Sequence, residues 1–255
     1  MAEMAGATGR RAEAQRYGAL RDRIGEAYAE EFVASDGTCG NGSQTSQVLS
    51  LFMDLVPHDR RDGAARVLAD DIRRRDMRLS TGFLGTPYIL DVLADAGRMD
   101  ELSGLLLQTE FPSWGYMPSR GATTMWERWN GDTGDLSMNS YNHYAFGAIV
   151  GFFYRRLAGI APAAPGFRRI AARPLWLPAI GRVSASYDSL VGTIATETDG
   201  DAEGLKRFAL SIPANTVAEV ELPSGEWRAR DGAVQVGEDG PVRFELPAGD
   251  HEFRR

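Results

Sequence analysis

Ala161-Pro162-Ala163-Ala164-Pro165-Gly166 separates two kinds of sequence in this chain. A short Pro/Ala run of this composition reads as a boundary, and the hydrophobic period changes across it. Upstream the period is helical. Over residues 10–32, Ala12, Tyr17, Leu20, Ile24, Ala27, Tyr28 and Phe32 make an apolar stripe between charged residues, the pattern of an amphipathic helix. The turn-rich Ser35-Asp36-Gly37-Thr38-Cys39-Gly40-Asn41-Gly42 ends it. Further helices are predicted over 44–55, 60–74, 87–96, 101–108 and 142–157, stopped by signals such as Val56-Pro57, Gly97 and Gly159.

Downstream the period is two. Arg182-Val183-Ser184-Ala185-Ser186-Tyr187, Gly192-Thr193-Ile194-Ala195-Thr196-Glu197, Phe208-Ala209-Leu210-Ser211-Ile212 and Ala218-Glu219-Val220-Glu221-Leu222 alternate as half-buried strands do. Thr198-Asp199-Gly200-Asp201, Pro223-Ser224-Gly225 and Glu238-Asp239-Gly240 supply turn signals between them. The expectation is an antiparallel β-sandwich of roughly eight strands. The predicted domains are thus a helical part, 1–160, and a β part, 161–255.

With 255 residues, 43% of them hydrophobic, the chain can bury a substantial core. Its net charge of −7, with basic residues spread out rather than gathered on one element, excludes a nucleic-acid binder. Cys39 is the only cysteine, so no internal disulfide and no cysteine-based metal cluster can form. The histidines, His58, His143 and His251, lie far apart and show no metal-binding spacing. No metal and no cofactor is expected. The polar, charged start and the lack of any long apolar run predict a cytoplasmic protein without a membrane partner.

Chemistry concentrates in Gly121-Ala122-Thr123-Thr124-Met125-Trp126-Glu127-Arg128-Trp129, which sets one carboxylate between two indoles. Trp114, Tyr116, Asn142, His143 and Tyr144 flank it. The mixture suits a sugar: aromatic faces stack on pyranose C–H faces, amides and imidazoles bind hydroxyls, and a carboxylate can take a proton from water. Thr124 and Glu127 also fit a capping box at a helix start. On a regular helix Glu127 would stand about 100° from Trp126 and about 160° from Trp129, so only a loop or first turn gathers all three around one pocket. Core packing accounts for tryptophans more often than stacking does, and only the clustering of Trp114, Trp126 and Trp129 near one carboxylate favours at least one stacking platform.

Gly121 to Trp129, together with Met138-Asn139-Ser140-Tyr141-Asn142-His143-Tyr144-Ala145-Phe146-Gly147, resembles the bacterial α-L-rhamnosidases of glycoside hydrolase family 78. Phe111-Pro112-Ser113-Trp114-Gly115-Tyr116 and Thr81-Gly82-Phe83-Leu84-Gly85-Thr86 resemble that family too. The likeness covers only the C-terminal part of the family's long chain. It implies a partial (α/α)6 six-hairpin toroid followed by a C-terminal β-sandwich, and hydrolysis of terminal α-L-rhamnosides with inversion. It further implies Glu127 as the water-activating catalytic base and His143 as a sugar contact. Trp126, Trp129, Trp114, Tyr116 and Asn142 complete the candidate substrate-binding set. The family's general acid lies in an Asp/Arg/Glu-rich segment that residues 1–36 do not match. Two readings follow, a truncated rhamnosidase or a sugar-binding or assembly remnant that needs a partner chain. Uncovered helix faces predict self-association or such a partner.

Overall fold

The structure is a computed structural model that describes every residue except Asp135, Leu136, Met138, Asn139, Asp231, Glu238 and Asp239. The Met138-Asn139 part of the rhamnosidase-like motif and the Glu238-Asp239 turn signal therefore lie outside the described residues. The chain forms two compact units, Met1–Ala148 and Ile149–Arg255.

The first unit is helical: α1 (Ala2–Ala7), α2 (Arg11–Phe32), α3 (Gln44–Phe52), α4 (Arg61–Arg74), α5 (Ile89–Asp95), α6 (Met99–Leu107), α7 (Tyr116–Ser119) and α8 (Tyr144–Gly147). Among its described residues no strand occurs, only an isolated bridge between Val33 and Cys39. Ser43 starts α3 by accepting the amide of Ser46 at 3.2 Å. The helix stops at Phe52, short of the expected end, because Asp54 turns into the left-handed region at φ 58°. Helix α4 buries Ala64, Ala65, Leu68, Ala69 and Ile72, one helical stripe, and packs on α3 and α6. By contrast, α2 buries none of its residues, and Leu20, Ile24 and Phe32 are exposed.

Two buried glutamines tie the loops to this core. Gln47 accepts the Cys39 amide at 2.5 Å and donates to the carbonyls of Gly37 at 3.2 Å and Ala64 at 3.1 Å. Gln44 donates to the Arg78 carbonyl at 3.1 Å and accepts from the Ser80 amide at 2.7 Å. Each pairs backbone amides and carbonyls of the loops with one buried side chain.

The predicted helix over 142–157 is broken. It becomes α8, α9 (Ile149–Phe152) and a π-helical turn, Phe153–Leu157, closed by the Ala158 amide on the Phe153 carbonyl at 2.8 Å. The break coincides with the change of unit: Ala158 belongs to the hydrophobic core of the second. The unit boundary therefore precedes the Pro/Ala run, whose first residues form a strand.

The second unit holds β1 (Ile160–Pro162), β2 (Arg169–Ala172), β3 (Val183–Ser189), β4 (Gly192–Asp201), β5 (Gly204–Leu222), β6 (Gly225–Ala229), β7 (Val234–Gly237) and β8 (Val242–Arg254). All eight join one hydrogen-bonded sheet, ordered β1-β2-β5-β8-β6-β7, with β4 also on β5 and β3 on β4. The sheet is mostly antiparallel but pairs β2 with β5 in parallel. The expected strands around Phe208 and Ala218 are one: β5 runs through both, with a register shift between Ile212 and Val217. Its alternation buries Leu205, Phe208, Leu210, Ile212, Ala218, Val220 and Leu222 against Trp227, Val242 and Phe253.

Candidate active site

The glutamate-bearing stretch is a loop, and it pairs with a second loop. Thr124 donates its hydroxyl to the Tyr141 carbonyl. The Met125 carbonyl accepts from the His143 amide at 2.8 Å, and the Glu127 amide donates to the Ser140 carbonyl at 3.0 Å. The capping-box reading of Thr124 and Glu127 is corrected by this geometry: residues 121–130 contain no helix to cap, and the Thr124 hydroxyl is committed to the other loop. These backbone bonds bring Glu127, which is half-buried, and His143 onto neighbouring segments.

Beneath the loops lie the tryptophans. Trp114, Trp126 and Trp129 are only 6%, 7% and 9% exposed. Trp129 stacks on Phe146 with centroids 3.8 Å apart and planes 10° apart, and meets the edge of Trp114 at 5.8 Å. Its indole N–H donates to the Thr81 carbonyl at 3.1 Å, while that of Trp114 donates to the Phe146 carbonyl at 3.0 Å. Trp126 lies edge-on to Tyr141 at 6.4 Å. The indole donors of Trp114 and Trp129 are thus committed to backbone carbonyls, and both rings pack into the aromatic floor.

His143 caps α8. Its Nδ1 accepts the Ala145 amide at 3.2 Å, so the neutral ring in this arrangement carries its hydrogen on Nε2. Asn142 is exposed, and its amide donates to Ser140 Oγ at 3.1 Å. Tyr116 donates its hydroxyl to Asp132, 2.9 Å from Oδ2, and Arg120 Nε donates to the same oxygen at 2.8 Å. The hydrogen bond to Asp132 raises the Tyr116 phenol above its usual pKa, with burial adding to it. Burial opposes charge on Asp132, but the bonds from Arg120 and Tyr116 outweigh it and hold the carboxyl below the ordinary range. Among the described residues no group of three or more His, Cys, Asp or Glu side chains could hold a metal ion.

Residues 1–157 match the model for the bacterial alpha-L-rhamnosidase 6 hairpin glycosidase domain, and 159–237 match the bacterial alpha-L-rhamnosidase C-terminal domain. The chain belongs to the bacterial α-L-rhamnosidase family. An α-L-rhamnosidase of Streptomyces avermitilis is 40% identical over 249 residues, 94% of this chain and 24% of that protein. The crystal structure of Streptomyces avermitilis α-L-rhamnosidase complexed with L-rhamnose matches with a TM-score of 0.89, over 99% of this chain and 25% of that one. The native α-L-rhamnosidase of Aspergillus terreus, 28% identical, matches with a TM-score of 0.85 over 100% of this chain and 29% of that one. This rhamnosidase-family chain therefore spans about a quarter of the length of such relatives.

Asp132, Arg120 and Phe83 were not singled out by sequence reasoning. Tyr116 and Arg120 do show helical i,i+4 spacing, and in the structure the Arg120 guanidinium lies 5.8 Å from the Tyr116 ring centre. Nothing local links them to Asp132. Phe83, within a segment already matched to the rhamnosidases, stacks on His143 at 4.6 Å; its partner is visible only in three dimensions.

Proposed function

We propose that these residues supply the water-activating side of an inverting α-L-rhamnosidase site. The observation that carries the reading is the loop pairing that sets Glu127 beside the His143 segment above a tryptophan floor. The relative solved with L-rhamnose supports the choice of sugar. Glu127 takes a proton from water as the water oxygen bonds to the anomeric carbon. The bond from that carbon to the leaving oxygen breaks, and a carboxylic acid about 6.5–9.5 Å from Glu127 protonates the departing oxygen, releasing rhamnose of inverted configuration. His143 donates from Nε2 to a sugar hydroxyl.

We assign the acid to polypeptide beyond these 255 residues, in keeping with the quarter-length match to the relatives. The helices are then the C-terminal half of an (α/α)6 toroid. The exposed stripe of α2 fits contact with that further polypeptide or with a second copy.

The test is turnover of an α-L-rhamnoside by the chain alone and by the chain joined or mixed with polypeptide carrying the acid. There Glu127→Gln should cost at least about 10²-fold in kcat, with rhamnose affinity little changed. Retention of more than about a tenth of the turnover sinks the base assignment. Rhamnose binding without turnover in every combination instead favours a non-catalytic binding module.

A further inference from the structure

Two aromatic rings lie nearly parallel to the His143 imidazole. Phe83 is stacked at 4.6 Å with planes 20° apart, and Tyr144 at 4.9 Å and 19°. They differ in their surroundings. Phe83 is 42% exposed and its ring also meets Phe146 at 5.7 Å, so it backs the histidine from the core side. Tyr144 is 84% exposed, although it stands in the same loop system as three tryptophans that are nearly all buried.

Packing within these 255 residues does not account for Tyr144. A ring that stabilised the fold would bury its face, as Trp129 does on Phe146. As the first residue of α8 it is held beside a capping side chain whose Nδ1 is already occupied, so the imidazole is fixed in both position and tautomer. A ligand hydroxyl that accepts from His143 Nε2 lies in the imidazole plane. Tyr144, its ring centre 4.9 Å from that of the imidazole and nearly parallel to it, offers an exposed aromatic surface beside that hydroxyl.

We infer that Tyr144 is a specificity-determining platform for the group attached to the rhamnose, favouring an aryl or pyranosyl aglycone over a small alkyl one. Both kinds of aglycone offer a flat face with positive C–H edges or a π surface to the phenol ring, whereas a methyl group offers almost no area. Phe83 is the positioning residue that holds His143 from behind. The inference rests on the reading of His143 as a sugar contact.

The experiment compares the affinities of the wild type, Tyr144→Phe and Tyr144→Ala chains for three probes: methyl α-L-rhamnopyranoside, nitrophenyl α-L-rhamnopyranoside and a rhamnosyl-glucose disaccharide. Tyr144→Ala should shrink the preference for the two larger glycosides over the methyl glycoside by about three- to tenfold, the worth of one aromatic contact. Tyr144→Phe should keep it. If only one of the larger probes responds, that identifies which aglycone the platform takes. A preference that stays unmoved in Tyr144→Ala, or affinities for all three probes that fall by one common factor, overturns the platform and leaves the proposed function standing. A wild type that binds none of the probes, whether alone or joined to polypeptide carrying the acid, overturns both.

Discussion

The indole nitrogen of Trp129 donates to the carbonyl of Thr81 across 48 residues of sequence, and this single bond joins the glutamate-bearing loop to the segment that Gln44 anchors. Gln44 holds the Ser80 amide, Ser80 leads into Thr81, and Thr81 receives Trp129. The position of Glu127 is thereby referred to the start of α3. Trp129→Phe keeps a ring on Phe146 but leaves the Thr81 carbonyl unpaired. It should lower the unfolding free energy by about 1–3 kcal/mol and weaken rhamnose binding along with it. Urea unfolding and a rhamnose titration of the same preparation check this; an unchanged stability would show that the bond is dispensable.

Gly63 lies inside α4, where alanine normally stabilises a helix by about 1 kcal/mol. Here a Cβ would stand 2.4 Å from the Asp36 carbonyl oxygen, and one on Gly37, at φ +92°, would stand 2.2 Å from the Ala64 nitrogen. Gly63→Ala should therefore destabilise, by about 1–3 kcal/mol. Gly18→Ala in α2, where nothing lies within 4 Å, should stabilise instead. Opposite shifts of the two thermal midpoints are the expected result.

Gln47→Leu would strand the buried Cys39 amide and remove one donor each from the carbonyls of Gly37 and Ala64. The expected cost is about 2–4 kcal/mol, read from the urea midpoint. Gln47→Glu retains the acceptor for Cys39 but turns a carboxylate toward two carbonyls, so its deficit should be smaller in acid than at neutral pH. A deficit independent of pH would count against this hydrogen-bond assignment.

On the sheet, Arg207 bridges Glu252, at 3.0 Å, and Glu197, while Arg254 pairs with Glu252 at 2.8 Å and Arg182 with Glu197. The hydrogen bonds from Arg207, with those from Arg182 and Arg254, depress both glutamates below their ordinary pKa. A depressed folded-state pKa contributes stability that is fully present above the unfolded value and is lost as the pH falls through the folded one. Stability should thus fall on acidification below about pH 4.3, the ordinary glutamate value. Arg207→Leu should flatten that limb in urea unfolding. A limb of unchanged steepness would place the acid sensitivity elsewhere.

Much of this could be read along the chain because its signals are local. The α4 stripe of Ala65, Leu68 and Ile72 and the alternation of Phe208, Leu210 and Ile212 are set by which side chains must leave water at each backbone period. The motif from Gly121 to Trp129 is likewise local, and its residue chemistry together with its resemblance to the rhamnosidases suggests the proposed sugar site. Two expectations failed where a decision depends on partners distant in sequence. Thr124 caps no helix because the Tyr141 carbonyl competes for its hydroxyl. The strands around Phe208 and Ala218 fuse because β8 pairs along both halves, across the register shift between Ile212 and Val217.

The sequence by itself determined the helical and β parts, the net negative charge, and the candidacy of Glu127 and His143. Only the tertiary structure decided that Trp114 and Trp129 spend their indole donors on backbone carbonyls, that Asp132 clamps Tyr116 with Arg120, and that Phe83 and Tyr144 frame the imidazole. The physical reason is that periodicity reports burial, a property of one segment. A hydrogen bond or a ring stack is instead a property of two segments, and its energy exists only once the fold has brought them together.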